Sequence, residues 1–206
     1  MCRFGDGRAN DMAVCMNAPP LDWYDPQPFK LRVSDFEMLA KAGVFEGRYK
    51  VELLEGVITA MNAEYRLHGV VKNRLVRRLQ TVLEKLGSDM EALVEVSVKL
   101  DDNSLPQPDA IVASVRLDRR YFGPDDVAIA IEVADSTART DLTRKTALYA
   151  AASVPELWIA DLRSGEVHQF WSPQDGAYTE TRIVPLAGEL RSTTVPDLAI
   201  DGAGVL

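Results

Sequence analysis

The chain has 206 residues, of which 47% are hydrophobic and 26% charged, and its formal net charge is −8. This composition is typical of one sizeable globular domain, and the acidic balance argues against a positively coated surface that would hold nucleic acid without specificity. No apolar run approaches the ~20 residues needed to cross a membrane. The two cysteines, Cys2 and Cys15, lie near the start, which predicts neither a disulfide framework nor a zinc site and favours a reducing, cytoplasmic location.

The first residues predict a flexible arm. They are rich in glycine, proline, aspartate and asparagine and show no sustained hydrophobic period. We therefore expect an N-terminal arm over residues 1–28 and one folded domain over residues 29–206.

A helix, a hairpin and a long helix open the folded part. The segment "RVSDFEMLAKAG" predicts a short helix with Ser34 as its N-cap, Glu37 completing a capping box and Gly43 at its end. The segment "YKVELLEGVITAM" predicts two strands that meet at a turn of Glu55 and Gly56. Leucines and valines at helical spacing over residues 64–87 predict the long helix.

The second half predicts a sheet interrupted by one more helix. Three runs rich in β-branched residues, "EALVEVSVKL", "PDAIVAS" and "VAIAIEVA", predict strands. A helix from about Asp141 to Ala152 follows, and then "ELWIAD", "EVHQFWS" and "YTETRIV" predict three further strands with hairpin turns. This order of elements predicts a single α+β domain with a mostly antiparallel or mixed sheet.

Two acids stand where a sheet would bring them together. Asp109 opens the strand of "PDAIVAS", and Glu132 lies near the end of "VAIAIEVA". If these strands are antiparallel neighbours, both carboxylates reach one sheet edge, in apolar surroundings where an unpaired carboxylate is costly. Hard oxygen ligands, with the carbonyl of Val133 as a further one, favour Mg²⁺ or Mn²⁺. Lys145 would orient a water or stabilise charge on a phosphate, so the set predicts phosphodiester hydrolysis.

Several short motifs occur in a fixed order over roughly residues 30–206. They are "YKVELLEGVI" at 49–58, a histidine before the long helix at His68, "PD" at 108–109, "EVADS" at 132–136, "D…K…LYA" at 141–150 and "VPELWIAD" at 154–161. In this order they resemble the Uma2 family, described as putative restriction endonucleases, within the PD-(D/E)xK nuclease superfamily. Each motif alone is uninformative, and their order and spacing carry the resemblance.

The resemblance implies a fold and a set of roles. The fold would be restriction-endonuclease-like, with a mixed central sheet flanked by helices and with additional antiparallel hairpins. Asp109 and Glu132 would be metal ligands, Lys145 would be the catalytic lysine, and Glu52 would be an additional acid from the N-terminal segment.

The chain departs from the expected pattern at two positions. The simple superfamily motif would place the lysine two residues after Glu132, but Ala134 stands there, so we assign the role to Lys145 on the following helix. Ser153 stands where the family usually has glycine before "VPE". This second departure concerns a helix C-cap and not the chemistry.

The long helix carries a positive stripe. Arg74, Arg77 and Arg78 share a face opposite the leucines, and Lys72 adds a further charge. With His68 as a substrate or phosphate contact, these residues could attract phosphate while the acids hold the metal. The alternative is an ordinary solvated helix face, with His68 bonded to the backbone.

These observations predict a metal-dependent endonuclease that acts on DNA, with Mg²⁺ or Mn²⁺ as its cofactor. The alternative from another class is a catalytically silent nuclease fold that serves as a binding or interaction module, because a fold alone does not prove activity. A serine or cysteine hydrolase is disfavoured, since the chain has no Gly-x-Ser-x-Gly elbow and both cysteines lie in the arm. A homodimer is left open, because nucleases that cut both strands often pair two sites across a two-fold axis.

Overall fold

The computed structural model describes residues 27–61, 63, 65–135 and 139–206, and for residues 139–141 the backbone alone. Nearly all of the predicted arm over residues 1–28 lies outside the described residues, so the arm and its boundary stay predictions. The helices and strands of the described part are α1 (Val33–Lys41), β1 (Lys50–Leu54), β2 (Val57–Met61), α2 (Arg66–Leu86), β3 (Met90–Val94), β4 (Ala110–Ser114), β5 (Val127–Ala134), α3 (Arg139–Ala151), β6 (Glu156–Asp161), β7 (Glu166–Gln174), β8 (Ala177–Pro185), β9 (Glu189–Arg191) and β10 (Ala199–Asp201).

A six-stranded sheet forms the centre of the fold, in the order β3-β4-β5-β6-β7-β8. Its neighbouring strands are antiparallel except for β5 and β6, which are parallel and are connected through α3. Two small antiparallel sheets, β1-β2 and β9-β10, lie outside it. This mixed sheet with flanking helices and additional hairpins confirms the predicted α+β fold, although the sequence patterns did not reveal β9 and β10.

Two glycines have the positive φ angles that the predicted hairpin turn and the predicted end of the long helix require. Glu55 and Gly56 join β1 to β2 with φ angles of +50° and +76°, as a type I′ turn requires at both central positions. A Cβ on Gly56 would lie 2.9 Å from the backbone of Leu31, so a side chain does not fit there. Gly87 ends α2 in the left-handed region at φ +64°.

The predicted cap of the first helix was wrong by two residues. The N-cap of α1 is Arg32 and not Ser34. The carboxylate of Asp35 accepts a 2.8 Å hydrogen bond from the Arg32 backbone N–H, so Asp35 takes the place that was predicted for Glu37. The helix begins early because Val33 is drawn into a small buried apolar cluster beside the β1-β2 hairpin.

Alternation along β5 decides which residues meet which helix. Ile131 and Val133 face the apolar cluster that contains the buried leucines of α2. Ala130 and Ala134 face the opposite cluster, which contains Tyr149 of α3. Because successive side chains of a strand point to opposite faces, Glu132 lies on the α3 side of the sheet.

Glu156, in the "VPELWIAD" motif, has a structural role. Its carboxylate is fully buried and accepts hydrogen bonds of 2.6 Å from the Trp158 indole, 2.7 Å from the Ser192 hydroxyl and 2.8 Å from the Thr194 hydroxyl. These donors satisfy a charge that would otherwise be costly to bury. The contacts attach the segment between β9 and β10 to the central sheet.

Candidate active site

Five buried charged side chains meet at one edge of the central sheet, and we call them the acid–lysine cluster. Each is at most 6% exposed. The members are Lys50, Glu52, Asp109, Glu132 and Lys145. Three acids face two lysines, so one negative charge is in excess when all are ionised. Charges are stable at such burial only when they are paired and hydrogen-bonded.

Strand pairing brings the two central acids to the same edge. Asp109 immediately precedes β4, and Glu132 lies two residues before the end of β5. The strands are antiparallel, with Ala110 opposite Ile131. This is the arrangement on which the prediction of a converging acid pair depended.

Asp109 is held from three directions. Its Oδ1 lies 3.1 Å from Nζ of Lys50, and its Oδ2 accepts a 2.8 Å hydrogen bond from the backbone N–H of Val133. Nε2 of His68, at the start of α2, lies 3.2 Å from the same Oδ2. Burial acts to raise the pKa of Asp109, but His68, Lys50 and the Val133 N–H outweigh it and hold the pKa well below its ordinary value.

Glu132 has a different environment and the opposite pKa shift. Its Oε1 accepts a 3.0 Å hydrogen bond from the Tyr149 hydroxyl, and Nζ of Lys145 lies 3.2 Å from the same oxygen. Burial raises the pKa of Glu132 to about 7, against the attraction of Lys145 and with the repulsion of Asp109. Two neighbouring acids therefore bind their protons with very different strength.

Lys145 bridges two acids. Its Nζ lies 3.0 Å from Oε1 of Glu52 as well as 3.2 Å from Glu132. Oε1 of Glu52 also accepts a 2.7 Å hydrogen bond from the backbone N–H of Gln107. The other oxygen of Glu52, Oε2, is buried and has no hydrogen-bond donor among the described residues. A lysine from α3 thus reaches both Glu52 and Glu132.

The comparisons with known proteins give the family of the chain and a similar fold. The profile of the Uma2 family, described as putative restriction endonuclease, matches residues 33–202. The chain belongs to the Uma2 family. Its fold resembles the crystal structure of a putative nuclease belonging to DUF820 from Anabaena variabilis, with a TM-score of 0.60, 15% identity, and coverage of 75% of this chain and 88% of that one. At this identity the likeness shows the fold alone. No curated protein matches the chain.

Two members of the site were missed by sequence reasoning. Lys50 lies on β1 two residues before Glu52, and the period of two that puts them on one face was its only signal. Its burial acts to lower the pKa, but Glu132 and Asp109 outweigh this effect and raise it. Tyr149 follows Lys145 by four residues on α3, so helical spacing places both on the same face. Each residue contacts an acid of this Uma2 protein directly.

The acids of the cluster supply the type of oxygen donor that a small divalent cation prefers. No group of three or more His, Cys, Asp or Glu side chains is arranged to hold a metal among the residues that the structure describes. Mg²⁺ is commonly held by one or two carboxylates, with water and substrate phosphate completing its shell. Asp109 and Glu132 would be such a pair, and the buried Oε2 of Glu52 is a further oxygen without a hydrogen-bond partner among the described residues. A bound Mg²⁺ or Mn²⁺ would supply Lewis-acid stabilisation of a phosphate.

Val133 contributes its backbone in a way that was not predicted. Its N–H fixes Asp109, whereas a role for its carbonyl as a metal ligand stays a prediction. Lys72 is buried and forms an ion pair with Glu95. This ion pair joins α2 to the residue that follows β3. The predicted contact of Lys72 with nucleic acid stays a prediction. The predicted substrate contact of His68 also stays a prediction.

The three arginines of the predicted positive stripe on α2 divide into two kinds. Arg74 and Arg78 donate hydrogen bonds to backbone carbonyls within residues 201–205, which fastens this segment to the helix. Arg77 is exposed and forms no ion pair with the described residues. All three line one shallow pocket together with Thr81. α2 therefore carries a positive surface. Arg77, unlike Arg74 and Arg78, donates no hydrogen bond to the segment of residues 201–205.

Proposed function

We propose that this Uma2 protein is an endonuclease that hydrolyses phosphodiester bonds of DNA with a divalent cation, Mg²⁺ or Mn²⁺. One observation carries the proposal: Asp109 and Glu132, from adjacent antiparallel strands, and Lys145, from α3, lie in one buried cluster. Family membership and the nuclease-like fold support the reaction class. The cation and the DNA substrate rest on the chemistry of the residues.

The side chains of the cluster would have different roles in the reaction. Asp109 and Glu132 would hold the cation. In-line attack of a water on phosphorus places additional negative charge on the phosphate oxygens, and the ammonium of Lys145 would compensate that charge. Glu52 holds Lys145 in place, because its carboxylate accepts a 3.0 Å hydrogen bond from the ammonium. The carboxylate is itself fixed by the backbone N–H of Gln107. Glu52 is thus a positioning residue in this scheme.

The arginine surface would position the nucleic acid. His68 lies beside Asp109, and Arg77 follows it by nine residues on α2. A rise of 1.5 Å per residue separates them by about 14 Å along the helix, which is roughly four nucleotide steps of 3.4 Å. Nine residues are also about two and a half turns of the helix, so His68 and Arg77 lie on opposite sides of α2, and a nucleic acid with its reacting phosphate at the acids would have to cross over the helix to bring a later phosphate to Arg77.

A nicking assay tests the proposal. Supercoiled plasmid should be cut by the wild type only when Mg²⁺ or Mn²⁺ is present, and Asp109→Asn should lose at least about 10²-fold in rate. Asp102→Asn is the matched control, because Asp102 is an exposed acid paired with Lys99 outside the cluster. It should cut like the wild type. An unimpaired Asp109→Asn would show that the site lies elsewhere.

A catalytically silent binding module is the second candidate. The observation in its favour is that the two lysines already neutralise much of the acid charge of the cluster, as a purely structural network would. Such a module would bind DNA without cutting it, with or without a cation, and Asp109→Asn would leave the affinity unchanged. Absence of cation-dependent cleavage on every DNA tried would favour this candidate.

A further inference from the structure

Lys50 has no role in the scheme above, although it is as deeply buried as the acids. Its Nζ lies 3.1 Å from Oδ1 of Asp109, and its side chain is 6% exposed. We infer that Lys50 occupies the oxygen of Asp109 that a divalent cation would use, so that the ammonium and the cation compete for this carboxylate. The inference rests on the proposed cation-dependent function.

The contacts of Asp109 leave one oxygen for a cation. Oδ2 accepts the backbone N–H of Val133 at 2.8 Å and lies 3.2 Å from His68. A cation at Oδ2 would have to disturb a hydrogen bond that joins Asp109 to β5. Oδ1 has Lys50 as its close partner, and an ammonium on a flexible four-carbon stem moves more easily than a strand backbone.

The close contacts of the two lysines are with different acids, although Lys50 also interacts electrostatically with Glu132. Lys145 lies within 3.2 Å of Glu52 and Glu132, whereas Lys50 forms its close contact with Asp109. Lys50 also comes from the β1-β2 hairpin, which is separate from the central sheet. Withdrawal of Lys50 from Asp109 therefore leaves the contacts of Lys145 and the pairing of β4 with β5 in place.

A like charge next to a cation weakens its binding, and the effect is large at buried sites because screening is poor. Lys50→Met keeps an apolar stem of similar length and removes the charge. In the absence of nucleic acid, we expect it to bind Mn²⁺ at least about tenfold more tightly than the wild type, measured by electron paramagnetic resonance of the free ion. Lys99→Met removes an exposed lysine that is paired with Asp102 and should bind Mn²⁺ like the wild type.

A second measurement is made on the wild type, and a variant is needed only to assign its signal. The ammonium protons of Lys50 are buried against Asp109, so they should give a slowly exchanging ¹H–¹⁵N signal in cation-free protein. Lys50→Arg identifies this signal by its loss. Addition of the diamagnetic Mg²⁺ should remove or shift the signal in the wild type as Lys50 leaves Asp109.

The outcomes separate the inference from the proposed function. If the wild type binds Mn²⁺ and cuts DNA but Lys50→Met binds Mn²⁺ no more tightly, the competition is refuted and the nuclease stands. A Lys50 signal that is unchanged at saturating Mg²⁺ refutes it equally. If neither protein binds Mn²⁺, both the competition and the cation-dependent function are overturned.

Discussion

Lys145 and Tyr149 lie four residues apart on α3 and both reach Oε1 of Glu132, at 3.2 and 3.0 Å. One carboxylate oxygen thus meets a charged donor and a neutral donor from a single helix face. The position of Glu132 is therefore coupled to the packing of α3 on the sheet, and the two donors can be removed separately.

Lys145→Ala should lose cleavage by about 10²–10³-fold, which is typical of the loss of one electrostatic donor to the transition state. Binding of the cation and of DNA should persist, because the carboxylates and α2 are untouched. Plasmid nicking with a DNA-binding curve for each protein measures both quantities. Cleavage at the wild-type rate would move the catalytic role to another ammonium, and Lys50 is then the next to test, since it contacts Asp109.

Tyr149→Phe should destabilise the fold by about 1.5–3 kcal/mol at pH 8, because a hydrogen bond to a charged group is lost. The loss should shrink at pH 5, where Glu132 is protonated. Tyr178→Phe is the matched control, since its hydroxyl donates a 2.9 Å hydrogen bond to the neutral carbonyl of Val154. Tyr178→Phe should lower the free energy of unfolding by about 0.5–1.5 kcal/mol, and this destabilisation should not vary with pH. Urea unfolding at both pH values compares them, and equal pH dependence would contradict the assignment.

Glu132 should make the cation-free protein less stable as the pH rises. Its pKa is raised from 4.5 to about 7 in the folded state, chiefly by burial, so the native state binds the proton more tightly than the unfolded chain. The stabilisation is fully present below pH 4.5 and is lost as the pH rises through about 7, and a pKa shift of this size corresponds to roughly 3 kcal/mol. Glu132→Gln should remove this loss in urea unfolding between pH 5 and 8. An unchanged slope in the variant would be evidence against the raised pKa.

Arg77→Ala should weaken DNA binding and reduce the slope of log K against log salt concentration by about one, because one phosphate contact fewer releases fewer counterions. Its thermal stability should be unchanged, since the side chain is exposed. Arg163→Ala, in the exposed turn between β6 and β7, is the control and should bind normally. Arg78→Ala should instead lower the melting temperature, because it frees the carbonyls of residues 201–203. If Arg77→Ala keeps the full salt slope, DNA does not lie along this face.

Ser153→Gly should stabilise the protein by about 1 kcal/mol, because Ser153 has a left-handed φ of +60° that is costly for a residue with a Cβ. The residue ends α3 in a Schellman motif, in which Ser153 N–H bonds Ala150 and Val154 N–H bonds Tyr149. The expected rise in melting temperature is about 2–4 °C. Gly87→Ala, at the left-handed end of α2, meets no atom within 4 Å and should show the reverse change. A fall in melting temperature for Ser153→Gly would contradict this account.

Local patterns predicted much of the fold and part of the candidate site. Two β-branched runs predicted the strands that carry Asp109 and Glu132, whereas the antiparallel pairing that brings these acids together was a condition of the prediction and is given by the structure. The turn at Gly56 followed from its residue type. Lys50 could not be found in this way, because its partner is 59 residues away and depends on how the hairpin docks. The contacts of Arg78 with residues 201–203 span more than 120 positions and left no local trace either. Ser34 was the better cap by residue type, but the burial of Val33 decided the start of α1.

The β1-β2 hairpin brings Lys50 and Glu52 into the cluster side by side, one cation and one anion, on a two-stranded sheet that is separate from the central one. The acid–lysine cluster is therefore bipartite. If Lys50 and Glu52 were both replaced by neutral residues, the charges around Asp109 and Glu132 would be arranged differently, but the net charge of the cluster would stay the same. Each of the two residues is nevertheless the partner of a buried charge, Lys50 of Asp109 and Glu52 of Lys145, so the hairpin, the central sheet and α3 depend on one another for charge pairing.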